Sequence, residues 1–139
     1  MRIPALILVA SALASCMTAP PSPEQMAADA ARQQAALAPL LAGKVPGRPV
    51  TCLPPRGGDE MTIVGPNAVT FRDGARRTYV NDMRGSCPNL RTNYALVTRQ
   101  FGGTGLCSGE IAQIIDPSTG ITVGSCVFGD FTPFTRPGG

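Results

Sequence analysis

The sequence predicts a mostly β fold, a small antiparallel sandwich or open barrel with two disulfides, preceded by a short N-terminal helix. Three observations lead to this fold class. The chain has 16 glycines and 14 prolines among 139 residues, a composition that favours turns over long helices. After residue 50, short apolar runs alternate with turn residues, as in β-sheet domains. Four cysteines lie in the same region, which is too small to be comfortably stable without cross-links.

The N-terminus has the order of residues typical of a bacterial export signal. Arg2 precedes an uncharged apolar run of about a dozen residues, which is too short for a ~20-residue membrane span. The next residues, Leu13-Ala14-Ser15-Cys16, resemble a lipobox, in which the peptidase cuts before the cysteine and the thiol carries a diacylglycerol. We therefore expect residues 1–15 to be a lipoprotein signal peptide and Cys16 to be lipidated.

Two alternatives to lipidation are a transmembrane anchor and an ordinary secreted protein with a free Cys16. The cysteine count favours lipidation, because five is odd and removing Cys16 leaves four that can pair completely. Met17 stands where aspartate would direct retention in the inner membrane of enterobacteria. By resemblance to that rule we expect an outer-membrane anchor facing the periplasm, with the inner membrane as the alternative.

Residues 16–49 are predicted to be a lipid-anchored tether that contains a short alanine-rich helix, and residues 50–139 a disulfide-stapled β-domain. Ser22, Pro23 and Gln25 form a capping-box pattern at the start of the helix. Pro39 is expected to end or kink it. The helix has two interpretations: a spacer, or a docking element for a partner or for the β-domain itself.

Seven strands are predicted in the β-domain from the apolar runs. Asp73-Gly74 and the segment 116–120 provide hairpin turns. Residues 132–139 are expected to form a frayed tail. The predicted strands cover residues 50–53, 61–64, 69–71, 78–83, 94–99, 110–115 and 121–128.

The four remaining cysteines predict two structural disulfides. No two of them form the C-x-x-C spacing that zinc sites and thioredoxin-like redox sites need, so no metal site is expected. Sequence does not choose among the three connectivities. We expect Cys87–Cys107 with Cys52–Cys126, and the rival is Cys107–Cys126 with Cys52–Cys87.

The chain contains no histidine, which excludes Ser-His-Asp and Cys-His catalysis and HExxH zinc sites. The glycines of 102–105 lack the lysine of a phosphate-binding loop, and no cofactor is expected. Carboxylates remain as candidates for hydrolysis, although we expect all of them to be surface or structural groups. These carboxylates are Asp59, Glu60, Asp82, Glu110 and Asp130.

An arginine face is the main candidate binding site. Arg76, Arg77, Tyr79 and Arg84 are close in sequence, and guanidinium groups suit carboxylates and phosphates. Peptidoglycan, lipopolysaccharide or an acidic envelope protein are the expected ligands, with arginines scattered over both sheet faces as the alternative. From residue 50 onward the sequence has eight arginines and seven acidic residues, so its net charge is nearly zero and no nucleic-acid partner is expected. Arg91 and Arg99 are further candidates for this face, and Phe101 in its glycine-rich loop is a second candidate contact.

The contexts of the cysteines resemble a family of small proteobacterial lipoproteins, in which a four-cysteine domain follows a lipobox. The resemblance spans roughly residues 50–135 and rests on four segments. It implies an envelope location and disulfides, and it brings no agreed activity, so no catalytic residue is transferred. The segments are Thr51-Cys52, Cys87-Pro88-Asn89-Leu90, Leu106-Cys107-Ser108-Gly109-Glu110 and Gly124-Ser125-Cys126-Val127-Phe128-Gly129.

These observations predict a non-enzymatic, lipid-anchored periplasmic protein with a binding or structural role in the envelope. The first alternative is an inhibitor of a hydrolase such as lysozyme, because small lipidated β-barrels with that activity share this architecture. Their Ser-Gly-x-x-Tyr motif is absent from the sequence. The second alternative is a small hydrolase, which needs two carboxylates about 5–10 Å apart in one cleft.

Overall fold

A computed structural model describes residues 20–55, 57–58, 60–99 and 105–138. This part of the chain has one helix and eight strands in two antiparallel sheets, which confirms the mostly β fold. The predicted signal peptide and Cys16 lie outside the described residues. Within those ranges, no helix combines the length and the apolar character needed to cross a bilayer. The elements are α1 (Pro23–Leu41), β1 (Val45–Pro46), β2 (Glu60–Ile63), β3 (Ala68–Asp73), β4 (Arg77–Asp82), β5 (Ala95–Thr98), β6 (Ile111–Ile115), β7 (Thr122–Val127) and β8 (Phe131–Thr135).

The larger sheet has the strand order β1-β8-β4-β3-β2 and is covered on both faces. Successive side chains of a strand point to opposite faces. In β4, Tyr79 and Asn81 point to one face and Thr78 and Val80 to the other, and all four are buried. The smaller sheet, β5-β6-β7, faces the side of Tyr79 and shares its core.

Three phenylalanines form the centre of that shared core. Phe71 lies in β3, Phe131 in β8, and Phe128 just after β7, with ring centroids 5.8 to 6.1 Å apart. Ala112 and Ile114 of β6 are also fully buried. Burial of each large apolar side chain contributes about 1.5–3 kcal/mol, so this cluster is the main source of packing energy between the sheets.

The start of α1 follows its sequence signal. The Ser22 hydroxyl accepts the backbone N–H of Gln25, and the Gln25 side chain accepts that of Ser22, which completes the predicted capping box. The helix continues through Pro39 to Leu41, beyond the predicted end. Pro39 lies in the last turn, where its missing N–H costs a single helical bond. Gly43, with φ +69°, follows the helix end.

The helix lies on the outer face of the larger sheet, antiparallel to β4. The Gln33 amide donates to the Asp82 carboxylate over 3.5 Å, near the end of β4. Beyond the helix end, the Lys44 ammonium donates to the Thr78 hydroxyl (2.7 Å), near the start of β4. Of the two interpretations, a helix docked on the β-domain describes these contacts.

The structure differs from the prediction at the first and the last strand of the β-domain. Residues 50–53 form only isolated bridges, and the sheet begins earlier, at β1. The predicted tail is wrong from residue 132 to residue 135, because β8 is an inner strand between β1 and β4. Pro133 is tolerated in β8 because its C=O, which accepts the Gly47 N–H, and its missing N–H lie on the same side of the strand. The other side, which pairs with β4, therefore loses no hydrogen bond.

Two disulfides are confirmed, but both predicted pairings are wrong. The bonds are Cys52–Cys107 and Cys87–Cys126. Backbone bonds from Leu53 to Leu106 (2.8 Å) and from Ser108 to Thr51 (2.7 Å) place Cys52 directly beside Cys107. In the β6–β7 hairpin an irregularity at residues 114–115 shifts the register. Cys126 pairs with Ala112 and points into the core towards Cys87.

Asn81 fixes the place where the chain crosses from the smaller sheet to the larger one. Its side chain is fully buried, donates to the Gly129 carbonyl (2.8 Å) and accepts the Gly129 N–H (3.2 Å). A Cβ at position 129 would collide with the Asp82 carbonyl oxygen, so only glycine fits. This contact ties the β7–β8 connection to β4.

The two disulfides should differ in their rate of reduction. Cys52 is exposed and Cys107 half-buried, whereas Cys87 and Cys126 are buried in the core. Under mild reductant in native conditions, alkylation followed by peptide mass spectrometry should label Cys52 and Cys107 first. In denaturant, the control, all four should be labelled together. Earlier labelling of Cys87 and Cys126 would contradict the burial order.

Replacing Asn81 by alanine should destabilise the domain by about 2–4 kcal/mol, because the buried N–H and C=O of Gly129 lose their partner. Urea unfolding followed by circular dichroism measures the change. Asn93→Ala, at an exposed position in a loop, is the matched control and should change the free energy of unfolding by less than about 0.5 kcal/mol. Equal effects of the two variants would show that the contact is not important for stability.

Candidate functional site

The candidate site is a basic cleft at the β3–β4 turn. The cavity has a volume of about 380 Å³ and is lined by Asp73, Arg76, Arg77, Thr135 and Arg136. The predicted Asp73-Gly74 turn places Arg76 and Arg77 at the end of the sheet, with Gly74 at φ +61°. Pairing of Arg77 with Thr135 brings the following Arg136 alongside, and its N–H donates to the Arg76 carbonyl over 3.0 Å.

Charge in this basic cleft is unbalanced. Among the described residues, Asp73 is the one carboxylate in the lining, and its carboxylate lies 3.7 Å from the Arg77 guanidinium. Arg77 also donates to the Tyr79 hydroxyl over 3.4 Å, and this hydrogen bond is the main reason that the pKa of Arg77 is raised. Arg76 and Arg136 form no ion pair with any described residue. Both side chains are exposed, so a ligand in the cleft can reach their guanidinium groups.

Lys44 extends the positive charge around the end of the sheet, where Arg72 also lies. Arg72 is paired with Glu60 at 2.6 Å. Lys44 donates to Thr78, and its pKa is lowered, first by burial and then by the charges of Arg136 and Arg72. Lys44, Arg72 and Arg136 therefore lie around the same end of the sheet.

The structure brings together two of the four residues predicted for the arginine face, Arg76 and Arg77. Tyr79 is 3% exposed and belongs to the core, and its hydroxyl is bonded to Arg77. Arg84 lies past the other end of β4, where it donates to the Ser108 hydroxyl (2.8 Å) and lies 3.6 Å from Asp130. The predicted single arginine face is therefore divided along the strand.

Arg91 and Arg99, the further candidates for the arginine face, lie outside the basic cleft. Arg91 lines a cleft beside α1, and Arg99 lines another beside Glu110. Phe101 lies outside the described residues.

Sequence reasoning missed Arg136 and Lys44. Arg136 follows β8, which was predicted as a frayed tail, so nothing indicated that it would lie beside Arg76. Lys44 is the only lysine of the chain, and it approaches the sheet because α1 docks there. The pairing of β4 with β8 is the missing signal for Arg136, and the docking of α1 on the sheet is the missing signal for Lys44; neither is local in sequence.

The candidate carboxylates have separate structural partners. Asp82 accepts from Gln33, Glu110 accepts the Cys107 backbone N–H (3.0 Å), and Asp130 lies beside Arg84. Asp59 lies outside the described residues. In the ranges that the structure describes, no group of three or more acidic or cysteine side chains is arranged to hold a metal ion.

No family model matches this chain, and comparisons with curated proteins and with solved structures found no match either. The resemblance to small proteobacterial lipoproteins stays a prediction.

Removal of Arg136 should raise the pKa of Lys44 part of the way towards its ordinary value of 10.5, because burial still lowers it. Carbon NMR of the Cε atom, with lysine-selective labelling, follows this single side chain through a pH titration. Arg91→Ala is the control and should leave the titration unchanged. An unchanged pKa in Arg136→Ala would show that the two charges do not interact.

The lowered pKa of Lys44 has a defined sign for stability. Between the folded-state pKa and 10.5 the unfolded chain binds more protons, so the contribution of Lys44 to stability rises with pH in that window. Below the window both states are protonated and the charge on Lys44 opposes folding. In Arg136→Ala this window should become narrower.

Proposed function

We propose that this protein is a non-enzymatic binding protein of the bacterial cell envelope, anchored by a lipid on Cys16, that binds carboxylate or phosphate groups in the basic cleft. The observation that carries the proposal is the lining of the cleft. Three guanidinium groups surround one cavity, and the single carboxylate among its described lining residues is already beside Arg77.

The chemistry of arginine supports this ligand class. A guanidinium group offers a planar fork of N–H donors that matches the two oxygens of a carboxylate or phosphate. Arg77 is held by Asp73 and Tyr79, which fixes the wall of the cleft, whereas Arg76 and Arg136 are exposed at its rim. Because the site is open to water, its affinity should fall with ionic strength.

The cysteines support the anchor. All four cysteines of the described residues are paired in disulfides, which leaves Cys16 as the fifth. Structural disulfides persist in oxidising compartments such as the periplasm. An outer-membrane anchor facing the periplasm agrees with both features and with the N-terminal signal.

The two alternative functions have less support. A carboxylate-dependent hydrolase needs two acids in one cleft, and Asp82, Glu110 and Asp130 each have a different structural partner. An inhibitor of lysozyme would lower the rate of clearing in a turbidity assay, and no contact in the described residues specifically favours that activity.

Anion binding should depend on Arg76 and Arg136. We expect Arg76→Ala/Arg136→Ala to weaken binding of labelled polyglutamate and polyphosphate about tenfold or more at low salt, because each lost charge-assisted contact is worth about 1.5–3 kcal/mol before screening. Fluorescence anisotropy measures the affinity, and it should fall as salt rises.

Arg91→Ala/Arg99→Ala removes the same charge from sites outside the basic cleft and is the matched control. It should change the affinity by less than about twofold. Equal losses in the two double variants would mean that net charge, and not the cleft, attracts the polyanion, and the proposal would then be wrong.

A further inference from the structure

The basic cleft and the entry of the anchored chain lie at opposite ends of the molecule. The first half of α1 lies beside the far end of β4: Met26 and Ala30 line a groove with Gly85 and Pro88. The helix then runs antiparallel to β4 and ends near Thr78, next to the basic cleft. At 1.5 Å per residue, its 19 residues span about 28 Å.

From this geometry we infer that the cleft faces away from the membrane that holds the anchor, and that its ligand is a carboxylate-bearing polymer of the cell wall rather than the headgroups of that membrane. The inference rests on the proposed function, because it takes Cys16 as the lipidated residue and the cleft as an anion site. It adds the direction of binding and the source of the anion.

The length of the tether supports this direction. Residues 16–22 are seven residues, whose fully extended length is at most about 25 Å. Inverting the domain so that the cleft pressed end-on against the anchoring leaflet would require the tether to run back past the whole of α1, which is about 28 Å long. The tether is too short for that arrangement.

The charges at the two ends of the larger sheet agree with the same orientation. At the cleft end, Arg76 and Arg136 form no ion pair with a carboxylate in the part of the chain that the structure describes. At the opposite end, Arg84 lies beside Asp130, and Asp29 of α1 pairs with Arg32. Two of the three arginines near the anchored end, Arg32 and Arg84, are therefore paired, and the third, Arg91, lines one cleft with Asp29. The distal end has the larger number of cations without an ion pair among the described residues.

The first experiment asks what the cleft binds. The full lipidated chain is placed in phosphatidylcholine vesicles and mixed either with purified cell-wall sacculi or with free vesicles containing phosphatidylglycerol. We expect the protein to co-sediment with sacculi. The Arg76→Ala/Arg136→Ala variant should bind sacculi about tenfold more weakly, and the Arg91→Ala/Arg99→Ala variant should bind them as the unchanged protein does.

The second experiment asks which way the cleft faces. A fluorophore is attached at Ala27→Cys, near the start of α1, or at Ala75→Cys, in the β3–β4 turn, and the lipid headgroups carry a nitroxide quencher. Both positions are exposed. We expect at least threefold stronger quenching at position 27 than at position 75.

The outcomes separate the two proposals. Arginine-dependent binding to phosphatidylglycerol vesicles but not to sacculi would overturn the inference that the ligand is a cell-wall polymer. Equal quenching at the two positions would overturn the inference about direction. Either result would leave anion binding intact. If neither sacculi nor vesicles bind in a way that depends on Arg76 and Arg136, the cleft is not an anion site, and both proposals fail.

Discussion

The arrangement of the two sheets depends on a hydrogen-bonded contact between a buried side-chain amide and a glycine. Asn81 lies in the central β4 strand, and its side chain satisfies both polar groups of the Gly129 peptide backbone where the chain leaves the smaller sheet. A buried polar group is costly without a partner, so this contact specifies one position for the crossing. Phe128 and Phe131 flank the crossing, and their rings pack in the shared core because Gly129 is held between them.

The two disulfides lie in different environments. Cys87–Cys126 links the loop after β4 to β7 inside the core, whereas Cys52–Cys107 joins two loop segments nearer the surface. Each bond typically contributes about 2–5 kcal/mol in a small domain. With one cross-link in the core and one outside it, the basic cleft at the other end of the sheet can remain open to solvent without providing much packing energy of its own.

Sequence signals predicted the features that depend on neighbouring residues, and they failed for the features that depend on the pairing of distant strands. The capping box at Ser22 and the Asp73-Gly74 turn follow from neighbouring residues, so both could be predicted. The disulfide pairing depends on the register of non-adjacent segments, including an irregularity at residues 114–115 that no pattern shows. The sequence predicted only part of the cleft. Arg76 and Arg77 follow one local turn and could be grouped, whereas Arg136 lies beside them only because β8 pairs with β4.

The place of β8 in the larger sheet has a consequence for biogenesis. It is the last of the described strands along the chain, yet it lies between β1 and β4, and Pro133 does not prevent this. The larger sheet cannot close until the segment around residue 131 has emerged, so a partly delivered chain lacks the inner strand of its own sheet. For the export proposed above, this order means that the larger sheet is completed only after nearly all of the chain has crossed the membrane.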